Sequence, residues 1–264
     1  MSTAKIRPPA VAGTFYPADA TELRAMIRGF LAQVDIDEEA PPKAIIVPHA
    51  GYIYSGPVAA SAYARLRSAR NLIRRVVLLG PSHRVPFYGL ATTTADQFAT
   101  PLGTVPVDQA AIARISGLRQ ITLLDEAHAL EHSLEVHIPF LQETLEAFTL
   151  VPLVVGDASP QDVAQVLEML WGGPETLIVI SSDLSHYHDY ATAQRMDRAT
   201  SAAIEALRPQ DIHYEQACGR NPVNGLLYLA KTHQLHAKTV DLRNSGDTAG
   251  PRDRVVGYGA YVVH

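Results

Sequence analysis

The chain has 264 residues, 47% of them hydrophobic and 19% charged, a composition too apolar for disorder and long enough to bury a substantial core. Its 22 basic against 27 acidic residues leave a net charge of −5, and without any basic run there is no electrostatic footprint for nucleic acid or an anionic membrane surface. A single cysteine, Cys218, excludes an internal disulfide framework, and the absence of a signal-peptide core or of about 18 continuous apolar residues leads to the expectation of a reducing, cytoplasmic setting.

The first periodic segment is 21–32, where Leu23, Met26, Ile27, Phe30 and Leu31 recur at helical spacing. A short apolar run at 44–47 reads as a buried strand, followed by a helical pattern at 57–66 and a second strand at 76–79. Helical periodicity returns at 134–147, then a strand at 150–155, a helix at 161–170 and a strand at 177–180. Helices at 192–207 and 224–231 precede a last strand, VVGYGAYVV, at 255–263, which is expected to close an edge. Continuous apolar strands alternating with helices predict an α/β single domain with a central, largely parallel or mixed sheet flanked by helices. No linker or low-complexity segment divides it.

Eleven histidines outnumber the six phenylalanines, and three follow predicted strands in the same way: Pro48-His49, Pro81-Ser82-His83 and Ser181-Ser182-Asp183-Leu184-Ser185-His186. In open α/β sheets ligands sit at the carboxyl ends of the strands, so these three can converge. Cys218, just before the helical pattern at 224–231 and beside Arg220, is expected to gain thiolate character from the helix dipole and the guanidinium; the alternative is an inert buried thiol. Two histidines and one anion with open positions suit a non-haem iron site, and a thiolate as the anion shifts the preference toward copper(I), with zinc also possible.

A competing motif is His128-Ala129-Leu130-Glu131-His132, which matches H-x-x-E-H of inverted zinc peptidases. No matching third ligand is evident downstream, and the reading preferred over a zinc hydrolase is a polar helix start with His132 facing the pocket. The glycines satisfy neither a phosphate loop nor a dinucleotide fingerprint, and no G-x-S-x-G elbow is present.

Seven blocks occur in order: PAVAGTFYP, PHAGYIYSG, GPSH, EHSLEVHIPFLQ, SSDLSH, ACGRNP and VVGYGAYVV. Together they resemble the Memo family, whose bacterial and archaeal members are also called AmmeMemoRadiSam system protein B. The likeness runs from about residue 7 to 264, so the chain reads as one Memo-like domain over 1–264. It implies a fold similar to the class III extradiol dioxygenases, non-haem iron enzymes that open catechol rings. It places metal ligands at His49, His83 and Cys218, with Asp183 and His186 as catalytic groups, and one iron(II) or copper(I) ion as cofactor. Phe15, Tyr54 and His132 are then expected to bind substrate.

The resemblance also implies a small phenolic substrate or a protein peptide as partner, and a functional link to AMMECR-type and radical SAM proteins. Two departures stand out. The dioxygenases use a carboxylate where this family has cysteine, so ring opening does not follow from the fold alone. Animal members carry Trp where Phe15 stands and are associated with phosphotyrosine-peptide binding. The leading expectation is therefore a metal-dependent, dioxygenase-like oxidoreductase, with a non-catalytic peptide-binding module as the alternative.

Overall fold

The computed structural model describes residues 4–36 and 40–264 of the chain. In chain order its strands are β1 (Ile6–Arg7), β2 (Ala44–Val47), β3 (Arg75–Pro81), β4 (Leu90–Thr92), β5 (Gln97–Thr100) and β6 (Gly103–Pro106). They continue with β7 (Ile121–Leu123), β8 (Thr149–Val155), β9 (Thr176–Ser181), β10 (His186–His188), β11 (Ala237–Asn244) and β12 (Val255–Val263). The helices are α1 (Ala20–Ala32), α2 (Tyr52–Tyr63), α3 (Gln109–Ile115), α4 (Asp125–Ala129), α5 (Ile138–Thr144), α6 (Pro160–Leu170), α7 (Tyr190–Glu205) and α8 (Arg220–Thr232).

Strands β2, β3, β8 and β9 are apolar along almost their whole length because both faces are covered, and they pair in parallel in the order β2-β9-β3-β8. The full sheet runs β10-β12-β2-β9-β3-β8-β4-β7, with β11 also on β12, and a small second sheet orders β1-β5-β6. This is the expected α/β architecture with a mixed sheet flanked by helices. Helix α2, backed by α1 and α5, packs on β2 and β12, while α6 and α8 pack together over the sheet centre at β3 and β9. Buried residues from Val11 to Val263 form one contiguous core.

Three expectations change. Strand β12 is interior, because it pairs antiparallel with β2, β11 and β10 rather than closing an edge. Its run VVGYGAYVV is buried at eight of nine positions, as an interior strand requires. Helix α2 starts at Tyr52, five residues before the predicted 57, because Gly51 caps it and the Tyr52 N–H is donated to the Phe15 carbonyl. The segment 134–147 divides into a 3-10 turn, Glu135–His137, and α5.

Parallel pairing puts the carboxyl ends of β2, β9, β3 and β8 along one rim of the sheet. Because β12 runs antiparallel to β2, with Val263 opposite Ala44 and Tyr261 opposite Ile46, its beginning lies on that same rim. Among the described residues no helix is long and apolar enough to cross a membrane.

Candidate metal centre

His49 follows β2 and His83 follows β3, so both leave the sheet at the shared rim. The third member of the cluster comes from a loop: His132 stands between α4 and the turn at Glu135–His137. One nitrogen of each ring lies within 4.8 Å of one nitrogen of the other two. The His83 and His132 rings stack at 4.5 Å, and His49 meets them edge-on at 5.0 and 5.4 Å.

Hydrogen bonds fix which nitrogens are bare. The Ser181 hydroxyl donates to the Ser133 carbonyl at 2.7 Å, so at 2.6 Å from His49 Nδ1 it must accept that ring's proton. His83 Nδ1 likewise donates to Glu131 Oε1 at 2.8 Å, and the His83 backbone N–H donates to Glu131 Oε2 at 2.7 Å. Both imidazoles therefore use Nδ1 as the donor and leave Nε2 as the nitrogen available to a metal.

Burial, then the neighbouring imidazoles of His83 and His132, hold His49 well below the ordinary histidine range. Burial and His83 bring His132 down to about 4 against the opposing pull of Glu131. Burial alone would push the Glu131 carboxyl up, but the bonds and charge from His83 and the Ser133 N–H hold it at about 2. Burial disfavours a proton on His49 and His132, and an ionised carboxylate stands behind His83, a setting that favours uptake of a cation.

Asp183, 4% exposed, accepts the His49 backbone N–H at 2.7 Å. Burial raises its pKa, opposed by His186 and that N–H. His186, on β10, lines the same cleft, a space of about 610 Å³ whose wall includes Phe15, His49, Tyr54, His83, His132 and Asp183. Phe15 lies 4.7 Å from the His132 ring. Seven of the eight residues expected in the site thus line one cleft, deepest at His49 and open at His83.

Cys218 lies at the ligating end of His49. Its Sγ is 3.3 Å from His49 Nε2 and 3.6 Å from the Asp183 carbonyl, and it also lines a neighbouring cavity of about 330 Å³. The expected thiolate is overturned for the metal-free chain: burial, then the Asp183 charge, push the thiol up. Arg220 does not offset this, because its guanidinium lies 5.7 Å over the Tyr214 ring. Gly219 permits the approach, since a Cβ there would collide with the Ser181 carbonyl and the Ser182 side chain.

The H-x-x-E-H match does not form a zinc-peptidase site. Helix α4 ends at Ala129, so His128 and His132 do not share a helix face. His128 is buried and donates Nε2–H to the Ala91 carbonyl at 3.0 Å, while Glu131 is occupied by His83. The sequence reading missed Glu131 and Ser181 as the groups that orient the ligands. It also missed Tyr187, Arg254 and Tyr258 in the cleft wall. A polar serine ending the apolar strand LIVIS was the available signal for Ser181. Tyr187, Arg254 and Tyr258 reach the cleft through the antiparallel pairing of β10 with β12, which neighbours along the chain do not reveal.

The family model described as Memo-like protein matches residues 7–262. A MEMO1 family protein of Aquifex aeolicus (strain VF5) is 36% identical over 265 positions, covering 96% of this chain and 97% of the relative. Another, from Sulfolobus acidocaldarius, is 38% identical over 280 positions, with 96% and 97% covered. Among solved structures, the uncharacterized protein JW3007 from Escherichia coli K12 superposes with a TM-score of 0.52 at 14% identity, covering 83% of this chain and 98% of that one, a likeness of fold alone.

Proposed function

The chain belongs to the Memo-like family, and from that premise we propose that it is a metal-dependent oxidoreductase with a dioxygenase-like site acting on a small phenolic substrate. The observation that carries the reading is the convergence of three imidazoles whose Nδ1 atoms are held by Ser181 or crowded by Glu131. Donors of this kind in a partly open cleft suit a transition metal that keeps positions free for substrate. His49 and His83 would hold the ion, with His132 and Cys218, whose Sγ is 3.3 Å from His49 Nε2, as the candidates for the third donor. Iron(II) or copper(I) fits this nitrogen and sulfur set, and zinc is the redox-inactive competitor.

When bound, such an ion supplies a redox-active Lewis acid. The protein residues do the remainder. Phe15 and Tyr54 provide aromatic walls along which a phenolic ring can lie. His186 is the base placed to take a phenolic proton, and the neighbouring Asp183 stabilises the imidazolium that results.

The test is metal content by mass spectrometry on protein purified anaerobically without a metal-affinity tag. Near-stoichiometric iron or copper is expected in the wild type and its loss in His49→Ala and His83→Ala. Full occupancy in His49→Ala would sink the assignment. Comparing His132→Ala with Cys218→Ser identifies the third donor, and oxygen uptake with catechols, lost in His186→Ala at retained metal, tests the proton role.

A further inference from the structure

The cleft has one basic residue of the Lys and Arg type in its wall, Arg254. It is exposed and lies just before β12, at the rim where that antiparallel strand begins. Among the described residues its partner is the Tyr187 ring, 5.2 Å from the guanidinium carbon, and no carboxylate neutralises it. In a chain of net charge −5 with 27 acidic residues, an unpaired guanidinium inside the candidate site is a feature that calls for an anion.

Tyr187, 65% exposed, has φ 61°, a left-handed conformation unfavourable for a tyrosine. It sits where the β10–β12 register shifts between His186 and His188. Strain of this kind persists where surrounding structure enforces it and clusters at ligand sites. Here it sets the aromatic platform beneath Arg254 directly beside His186.

The connection that carries Arg254 is also pinned. The Asn244 side chain and Asp247 cap each other's backbone, Gly250 N–H donates to the Ser245 carbonyl at 2.7 Å, and Tyr190 N–H donates to the Arg252 carbonyl at 3.2 Å. Arg252 is anchored over the Tyr190 ring at 4.6 Å, which leaves Arg254 as the arginine that faces the cleft.

We propose that Arg254 determines specificity by receiving a carboxylate at the cleft mouth, so that the substrate is an aromatic carboxylate whose ring lies among Phe15, Tyr54 and Tyr258 with its far end toward the imidazoles. A planar guanidinium matches a carboxylate with two parallel hydrogen bonds. The ring and its orientation rest on the function proposed above; the anion site does not.

The test is calorimetric binding of catechol, 3,4-dihydroxybenzoate, benzoate and phenyl phosphate under nitrogen. It uses the full chain, metal-free and iron(II)-loaded, as wild type, Arg254→Gln and Arg254→Lys. The wild type is expected to bind 3,4-dihydroxybenzoate at least about tenfold more tightly than catechol. Arg254→Gln should erase that ratio and Arg254→Lys keep part of it, with thermal midpoints unchanged because the side chain is exposed.

An undiminished ratio in Arg254→Gln, or no preference in the wild type, overturns the proposal. Phenyl phosphate binding more tightly than benzoate overturns the carboxylate assignment in favour of a phosphate ester. Should neither diol bind the iron(II)-loaded chain while benzoate binds in an Arg254-dependent way, the anion site stands and the phenol-and-metal reading fails.

Discussion

Two imidazoles of the centre are oriented in the same way, through Nδ1, by different partners, His49 by a serine whose own proton is committed elsewhere and His83 by a carboxylate. Glu131 is the more consequential of the two, because it also accepts the His83 and Ser133 backbone N–H groups and so fixes where the loop places the ring. Glu131→Gln offers an amide that can donate to Nδ1, which would move the ring proton to the ligating nitrogen. Metal affinity, measured by chelator competition, is expected to fall about 10- to 100-fold. Unchanged affinity in that variant would show that Glu131 serves only the loop. Its sequence context, H-x-x-E-H, pointed to water activation on zinc, because spacing cannot tell a helix from the loop that follows Ala129.

At the scale of elements, the site depends on a segment with almost no regular structure. Residues 8–16 carry Phe15 into the cleft, and what holds them is Glu135, fully buried, which pairs with Arg7, accepts Tyr16 Oη–H at 2.6 Å and takes the N–H groups of Ala10 and Val11. Glu135→Ala would leave Arg7 buried without its partner, a loss of about 3–5 kcal/mol. Urea unfolding should register it, and limited proteolysis should cut within residues 8–16. Stability within about 0.5 kcal/mol of wild type would contradict the anchor. Composition concealed this anchor, since the glutamate lies some 120 residues from the groups it binds. The rim strands β2, β3, β8 and β9 were legible, because a parallel strand buried on both faces has no polar alternation to obscure it.

Across the whole molecule, buried histidines tie stability to pH. Burial holds His128 at about 4 and His137 at about 3, and each has one ring nitrogen without a partner, Nδ1 of His128 and Nε2 of His137. In the unfolded chain both titrate near 6.5. As pH falls below that value the unfolded state takes up protons that the folded state refuses until about 4 or 3, so stability declines through this window. Between pH 6.5 and 5 each ring contributes a loss of about 2 kcal/mol. Urea midpoints of the metal-free chain should drop over that range and drop less in His137→Gln; a flat profile would contradict the account.

The amino-acid order alone determined the α/β class, the strand-end positions of His49 and His83, and membership of a family recognisable from seven ordered blocks, because these are properties of neighbours along the chain; His186, expected at the end of the strand before it, instead opens β10. Tertiary structure decided that His132 joins His49 and His83, that Cys218 lies beside His49 and also lines a second cavity, that β12 is interior, and that Arg254 stands in the cleft. Each of those outcomes depends on strand order and on which direction an antiparallel strand delivers its side chains, and pairing across a sheet leaves no periodic signal in the strand that is paired.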